Sequence, residues 1–258
     1  MLKVVSWNVN SIRKGVKDEL IKLINDHYPD IICLQETKCS KEDGEAYLEN
    51  NCQEIIENYP YRFWNSSVKG QAGVACFSKI EPLEVKYEIP LIFQLKHGRV
   101  IVLTFENLII LNTYVPNTGR GQEAEQFRNV WHNGMVSWLE ANSDKFLLWC
   151  GDLNVVDDPK KDTSHHIIRP KHPPAGLKEF EHRHFKEYIE LGLIDVFRHF
   201  NPDEVSFTWY SNLNQQIGWR LDYFLVNDIS RVKNIIHHSK MPKSVSDHVW
   251  ILCELNWS

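Results

Sequence analysis

The sequence predicts a mixed α/β fold in one domain spanning residues 1–258. Short apolar runs of strand length, rich in Val, Ile and aromatic residues, recur along the chain. Between some of them lie segments whose apolar residues fall at helical spacing. No Gly/Ser linker divides the chain.

The first strand is LKVVSWNV. It follows Met1 so closely that no signal peptide is expected. KDELIKLINDHY then places Leu20, Ile21, Leu23 and Ile24 on one side of a helix, which Pro29 ends. DIICLQE, AGVACFS, VIVLTFE and LIILNTYVP read as strands. QEAEQFRNVWHNGMVSWLEAN is a helix with Phe127, Val130, Trp131, Met135, Trp138 and Leu139 as its core stripe. The strand FLLWCGDLNV ends in a flexible joint at Gly151 and two polar residues, Asp152 and Asn154. The polar, Pro-rich stretch 157–174 reads as a long surface loop. LKEFEHRHFKEYIELGL is a third helix, with Phe180, His184, Phe185, Tyr188 and Ile189 inward and Gly192 near its end. LDYFLV and VWILCEL complete the strands. The alternation is too irregular for a TIM barrel or a simple Rossmann sheet, and no Gly-rich phosphate loop appears. SWNVN and GDLNV look alike, which hints at two similar halves.

Composition bounds the function. With 43% hydrophobic and 24% charged residues the chain is a soluble globular protein, and no apolar run reaches the length of a membrane span. A net charge of -5 argues against an extended basic surface but allows a local basic groove. Cys33, Cys76, Cys150 and Cys253 sit in apolar runs and form no CxxC pair. They read as small core residues of a protein in a reducing, intracellular compartment, the cytoplasm of a bacterium or archaeon or a nucleus. The histidines at 165, 166, 172, 182 and 184 lack a helical i, i+4 pair carrying a Glu and read as solvated rather than zinc-binding.

Polar residues recur where apolar runs end. Asn8 and Asn10 close the first strand, and Gln35 and Glu36 the second. Asn112, Tyr114 and Asn117 close another; Asp222 lies inside an apolar run, its structural alternative being a core acid paired with Arg220; Asp247 and His248 open the last. Burying one such group without a partner costs roughly 1–3 kcal/mol. Several are tolerable only if they converge on one another, a metal or a ligand. Glu36, Asp152 and Asp247, with the amide oxygens of Asn8, Asn10 and Asn154, are hard oxygen ligands suited to Mg²⁺ or Mn²⁺. With a histidine and a tyrosine added, the set fits metal-assisted phosphodiester hydrolysis.

The sequence resembles the exonuclease III/apurinic–apyrimidinic endonuclease family, within the endonuclease/exonuclease/phosphatase superfamily. SWNVNSIR, PDIICLQETK, GQAGVACFSK, GRVI, NTYVPNTGRG, GDLNV, FTWY, GWRLDYFLV and SDH occur in the family's order from Ser6 to His248. The resemblance implies a four-layer α/β sandwich, two mixed β-sheets packed face to face with flanking helices. It implies Glu36 as principal Mg²⁺ ligand, with Asn10 and Asp247 nearby and Asp152, Asn154 and His248 around the ion. Asn8 and Asn154 hold the scissile phosphate and the attacking water, Tyr114 donates to the phosphate, and Asp222 orients His248. The resemblance also implies that Asp152 takes the proton from that water or delivers one to the leaving oxygen while His248 contacts a phosphate oxygen; the alternative is that His248 is the base. By the same resemblance, Trp209, Trp219 and Leu221 would line an apolar pocket for a base-free deoxyribose. Asn117 contacts the DNA backbone and Arg120 the duplex beside the lesion. Lys69, Arg13, Lys14, Lys38 and Arg128 are candidate phosphate contacts. The implied partner is double-stranded DNA with abasic sites or blocked 3′ ends, bound by a monomer. Inositol phosphatases and sphingomyelinases share the central residues, so intact nucleic acid or a phospholipid head group is the competing substrate, and a non-catalytic DNA-binding protein a further alternative. The chain departs from the family's pattern at Asp157 and Asp158, where many relatives carry His and Glu, and at Pro174, where a DNA-contacting Asn often stands.

Overall fold

The computed structural model describes all residues except 15, 67–69, 91–97, 120, 165–172, 215, 240, 243 and 258. Two six-stranded mixed sheets form its centre. The first contains β1 (Leu2–Asn8), β2 (Ile31–Gln35), β3 (Tyr61–Asn65), β4 (Val74–Ser78), β13 (Val232–His237) and β14 (Ile251–Leu255), in the order β13-β14-β1-β2-β4-β3. The second contains β5 (Glu84–Lys86), β6 (Val100–Thr104), β7 (Ile109–Tyr114), β8 (Leu147–Asp152), β9 (Ile194–Asp195) and β12 (Asp222–Val226), in the order β5-β6-β7-β8-β12-β9. A short hairpin pairs β10 (Trp209–Tyr210) with β11 (Gly218–Trp219).

The predicted sandwich is present, and side-chain parity explains its continuous apolar runs. Successive strand residues point to opposite faces. Ile31 and Cys33 of β2, with Leu148 and Cys150 of β8, enter the cluster between the sheets. Their neighbours Ile32 and Leu34 face an outer layer built on α1 (Lys17–His27), α2 (Lys41–Asn51) and α3 (Gln53–Asn58). Leu147 and Trp149 face α4 (Gln122–Ala141) and α5 (Glu179–Glu190). Strands covered on both faces have no polar side. All six cysteines are buried and unpaired, and the four expected in the core lie together between the sheets. Among the described residues no helix is long and apolar enough to cross a membrane.

The two sheets share one plan. Each has a parallel central pair, β1 with β2 and β7 with β8, and each pair is joined through a helix, α1 or α4. By this correspondence β1 matches β7, so the likeness of SWNVN to GDLNV has another cause. Asn8 Oδ1 accepts from Asn10 N at 3.1 Å, and Asp152 Oδ1 accepts from Asn154 N at 2.9 Å. Asn10 and Asn154 both adopt left-handed backbone, with φ of 47° and 48°. The resemblance is a local turn used twice, and Asn tolerates that conformation.

Three expectations need correction. Val130 is exposed; Arg128 is buried in its place, because residues 128, 131, 135 and 138 share one helix face and 130 lies about 200° around from 128. The stretch 157–174 is not surface loop throughout: Asp162 is fully buried against Arg220 (2.9 Å), and Thr163 bridges to Trp219. Gly151 is no joint. It lies within β8 with φ 135°, and a Cβ there would sit 1.9 Å from the Thr113 carbonyl oxygen. Glycine allows β7 and β8 to approach and the chain to turn into Asp152.

Candidate active site

The same parity assembles the site. Asn8 ends β1, Gln35 ends β2, Tyr114 ends β7 and Asp152 ends β8; Asp222 begins the antiparallel β12. Each lies an even number of positions from an inter-sheet residue of its own strand: Val4, Cys33, Ile110, Cys150 and Phe224. Register puts Tyr114 and Asp222 on either side of Asp152, and Gln35 beside Asn8. Polar side chains thus replace apolar ones along one edge of the inter-sheet core.

Hydrogen bonds tie this edge together. Gln35 Nε2 donates to Asn112 Oδ1 (2.8 Å) and to Ser6 Oγ (3.0 Å), bolting the sheets together. Above it, Asn8 Nδ2 donates to both Glu36 Oε1 (3.0 Å) and Asp152 Oδ2 (2.9 Å). Asn10 Nδ2 donates to Asp247 Oδ1 at 2.7 Å, and Asp247 Oδ2 accepts from Trp209 Nε1 (3.3 Å) and Asn212 Nδ2 (3.1 Å). Asn117 Nδ2 donates to Asn154 Oδ1 at 3.0 Å. Lys38 Nζ is 2.7 Å from Glu36 Oε2 and donates to Asn10 Oδ1. The backbone here is unusual: Asn10, Ser11, Glu36, Lys38, Ala72 and Asn154 all have positive φ. Such conformations cost of order 1–3 kcal/mol each and persist where surrounding contacts enforce them.

Charges are strongly coupled. Burial, then the Asp222 charge, pushes Asp152 up to about 7. Burial works against a charged His248, but the Asp222 carboxylate, with its 2.8 Å bond to Nδ1, outweighs it and raises the imidazole to about 10. Nε2 lies 3.8 Å from Asp152 Oδ2. Burial also pushes the Tyr114 phenol well up, keeping it a donor. Glu36 is opposed by burial yet lowered by Lys38 and Asn8, and Asp247 is likewise opposed by burial but lowered by His248 and Asn10. The site therefore holds ionised acids at Glu36 and Asp247, a proton-exchanging acid at Asp152, and an imidazolium at His248.

A cleft of about 600 Å³ opens on this edge, lined by Glu36, Tyr114, Asp152, Asn154, Asp247 and His248. Trp209, Trp219 and Leu221 form its apolar wall, the two indoles at a 5.5 Å centroid separation. Trp209 does more than line it, since its indole N–H also holds Asp247. Asn117, Lys38, Pro174 and Gly176 reach the rim.

Of the expected site residues, Asn8, Asn10, Glu36, Tyr114, Asn117, Asp152, Asn154, Trp209, Trp219, Leu221, Asp222, Asp247 and His248 converge on or directly behind this cleft. Lys69 and Arg120 lie outside the described residues, as do the histidines at 165, 166 and 172. Arg128 is not a phosphate contact: it is 2% exposed and donates to the carbonyls of Pro116 and Leu153. Arg220 does not pair with Asp222; it binds Asp162 and Asp195. His184 stacks on His132 at 3.7 Å, in keeping with the inward stripe of its helix and not with a solvated loop. Arg99 was missed. It stacks over the Tyr114 ring at 4.5 Å, donates to the Tyr114 carbonyl and lines the cleft. The Arg in GRVI was the available signal.

The donor set fits a hard divalent cation. Glu36, Asp247, Asp152, Asn8, Asn10 and Asn154 offer oxygen, and the upward shift of Asp152 marks negative charge that a cation would offset. Among the described residues one group of three potential ligands has donor atoms within 4.8 Å of one another: Asp152, Asp222 and His248. With Nδ1 already bonded to Asp222, this group is organised for proton transfer rather than ligation.

Oxygen ligands, a carboxylate–imidazolium pair and a phenol at one edge of a two-sheet sandwich define a metal-dependent phosphoesterase centre. The chain belongs to the Endonuclease/Exonuclease/phosphatase family, whose profile matches residues 5–248. It is 37% identical over 262 residues to an exodeoxyribonuclease of Bacillus subtilis, covering 96% of each chain. It is 34% identical to the DNA repair nuclease APEX1 of Danio rerio over 88% of this chain and 73% of that one. An AP endonuclease structure from Archaeoglobus fulgidus superimposes with a TM-score of 0.85 at 28% identity, covering 99% of this chain and 100% of that one.

Proposed function

We propose that this protein is a DNA repair nuclease that hydrolyses the phosphodiester 5′ to an abasic site in duplex DNA. The products are a 3′-hydroxyl and a 5′-deoxyribose phosphate. A 3′→5′ exonuclease and 3′-end-cleaning activity shares the centre, because a terminal linkage presents the same phosphate. One observation carries the reading: the acid–base pair and the tryptophan wall open into the same cleft. A base-free sugar can turn into an apolar pocket that a base would overfill. The names of the relatives, exodeoxyribonuclease and DNA repair nuclease, support the substrate class.

The residues take these roles. Glu36, Asn10 and Asp247 would hold Mg²⁺, for which Mn²⁺ would substitute, with Asp152 and Asn154 as further oxygen donors. When bound, the cation would supply positive charge to the phosphate and leaving oxygen. Tyr114 and the His248 imidazolium donate to phosphate oxygens. The Asp222 carboxylate at 2.8 Å favours a protonated His248, which supports giving it the donor's role and Asp152 the base's. Asp152 accepts the proton of the attacking water, and its raised pKa suits that exchange. Asn8 and Asn154 orient water and phosphate; Asn117 and Arg120 contact DNA. Lys38 and Arg99 place positive charge beside the phosphate path. The protein acts as a single-domain monomer in a reducing intracellular compartment, where its six thiols stay unpaired.

Incubation with an abasic duplex tests this. Mg²⁺ should support a nick 5′ to the lesion, and EDTA should stop it. Equal cleavage of intact and abasic duplexes, or phosphatase activity without nicking, would replace the proposal with the competing substrate class.

A further inference from the structure

Glu181 lies in the first turn of α5 and is fully buried. A buried carboxylate must have its lone pairs met. One bond is ordinary helix capping, Lys178 N to Oε2 at 3.0 Å. The other two leave the helix. Oε1 accepts from the Thr118 hydroxyl at 2.5 Å, and Oε2 accepts from Gly176 N at 2.7 Å. These bonds reach two separate cleft-lining segments.

Each segment leads into the site. Thr118 follows Asn117, whose amide donates to Asn154 Oδ1 at 3.0 Å. Gly176 lies against the pocket wall: a Cβ there would meet Trp219 at 3.5 Å and Leu221 at 3.7 Å. Arg128, from α4, holds the first segment from beneath through Pro116 O (2.8 Å) and holds the Asn154 turn through Leu153 O (2.9 Å). Its guanidinium and the Glu181 carboxylate attract one another.

We infer that Glu181 is a positioning residue, a staple that sets the catalytic amide pair through Thr118 and the sugar-pocket wall through Gly176. The inference rests on the nuclease reading above. A simple cap would not need the bonds to Thr118 and Gly176. The two arms predict separable effects. The Thr118 arm governs Asn154, which acts at the transition state, so its loss falls on kcat. The Gly176 arm governs Trp219, so its loss falls on preference for the abasic site.

Three full-length variants test this, each with kcat and KM on an abasic duplex and Kd, in EDTA, for abasic and intact duplexes. Thr118→Val is nearly isosteric and removes one arm. Its kcat should fall about tenfold, the size expected for one charge-assisted hydrogen bond, with Kd unchanged. Glu181→Ala should lower kcat and also erode the abasic preference in Kd. Glu181→Gln should restore both: its amide oxygen accepts the two N–H bonds and its NH₂ donates to the Thr118 hydroxyl. If Thr118→Val shifts Tm but leaves kcat intact, Glu181 is a cap alone and the staple is overturned. Should Glu181→Ala fail to fold, Thr118→Val against wild type still decides. A wild-type protein that leaves the abasic duplex uncut overturns the nuclease reading as well, so the two failures are told apart.

Discussion

Replacing Asp222 by Asn isolates the charge that keeps His248 protonated. Asn is isosteric and can still accept from Nδ1, so the 2.8 Å contact survives while the carboxylate charge goes. Asp222 is the largest favourable cause of the shift that carries His248 to about 10. Without it burial opposes the smaller pull of the Asp152 and Asp247 charges, and the imidazole falls back towards its reference value of about 6.5. At pH 8 only about 3% of His248 would then be protonated. The lost imidazolium alone lowers the rate roughly 30-fold at pH 8 and hardly at all at pH 6. Asp152 responds in the same sense: losing a neighbouring negative charge lowers its pKa, extending activity towards acid. The ratio of Asp222→Asn to wild-type rate should therefore fall about tenfold per pH unit above 6.5. Single-turnover nicking of an abasic duplex from pH 5.5 to 9 measures it. A ratio constant across that range would mean that His248 acts in its neutral form, and the assignment of Asp152 as base would fail with it.

Other perturbations read other parts of the molecule. Trp219→Ala should reduce selectivity for abasic over frayed 3′ ends, seen as a larger drop in kcat/KM on the former; equal loss on both would reject the pocket assignment. Gly151→Ala should abolish nicking and lower the urea midpoint, because its Cβ would lie 1.9 Å from the Thr113 carbonyl oxygen and displace Asp152. Arg220→Met removes the buried guanidinium from Asp195 and from Asp162, which keeps Arg198 at 2.6 Å, and should cost about 3 kcal/mol of unfolding free energy in urea titrations. His237, stacked on Phe197 at 3.9 Å, is held neutral by burial, its pKa down to about 3. A depressed folded value means its contribution is full above pH 6.5 and lost as pH falls from there towards 3, by at most about 1.4 kcal/mol per pH unit. His237→Phe should flatten that acid limb of the urea midpoint; an unchanged slope would assign it elsewhere.

The strands and most of the site could be read from sequence for one reason. In a sheet buried on both faces, an Asn, Asp or Glu at the end of an apolar run conflicts with its surroundings, and Asn8, Glu36, Asp152 and Asp222 are all such conflicts. Burial makes them conspicuous. Arg128, Asp162 and Glu181 give no such signal. Each sits in a polar or amphipathic segment where a charge looks solvated, and only the three-dimensional partner shows that it is not: two carbonyls for Arg128, Arg220 for Asp162, Thr118 and Gly176 for Glu181. Val130 is the mirror case: an apolar residue on a helix reads as core, while the nearby arginine holds the inward position. The periodicity was sound, but its phase was set by residue type.

The balance of amides and acids at the cleft follows from the charge of the substrate. On the proposed function, DNA brings a polyanion to a protein whose net charge is already -5, and to a site holding Glu36, Asp152, Asp222 and Asp247. Every further acid would oppose the phosphate and raise the pKa of its neighbours. Asn8, Asn10, Asn117 and Asn154 fill the intervening positions with neutral groups that donate to carboxylates or accept through oxygen. Asn8 shows the logic most directly. Its one amide nitrogen spans 3.0 Å to Glu36 and 2.9 Å to Asp152. An acid there would set a third negative charge against both and drive Asp152 to remain protonated, removing the base. In the proposed roles, the amide instead separates an acid that stays ionised to hold a cation from one that exchanges its proton. The same four carboxylates can then serve two incompatible tasks within one cleft.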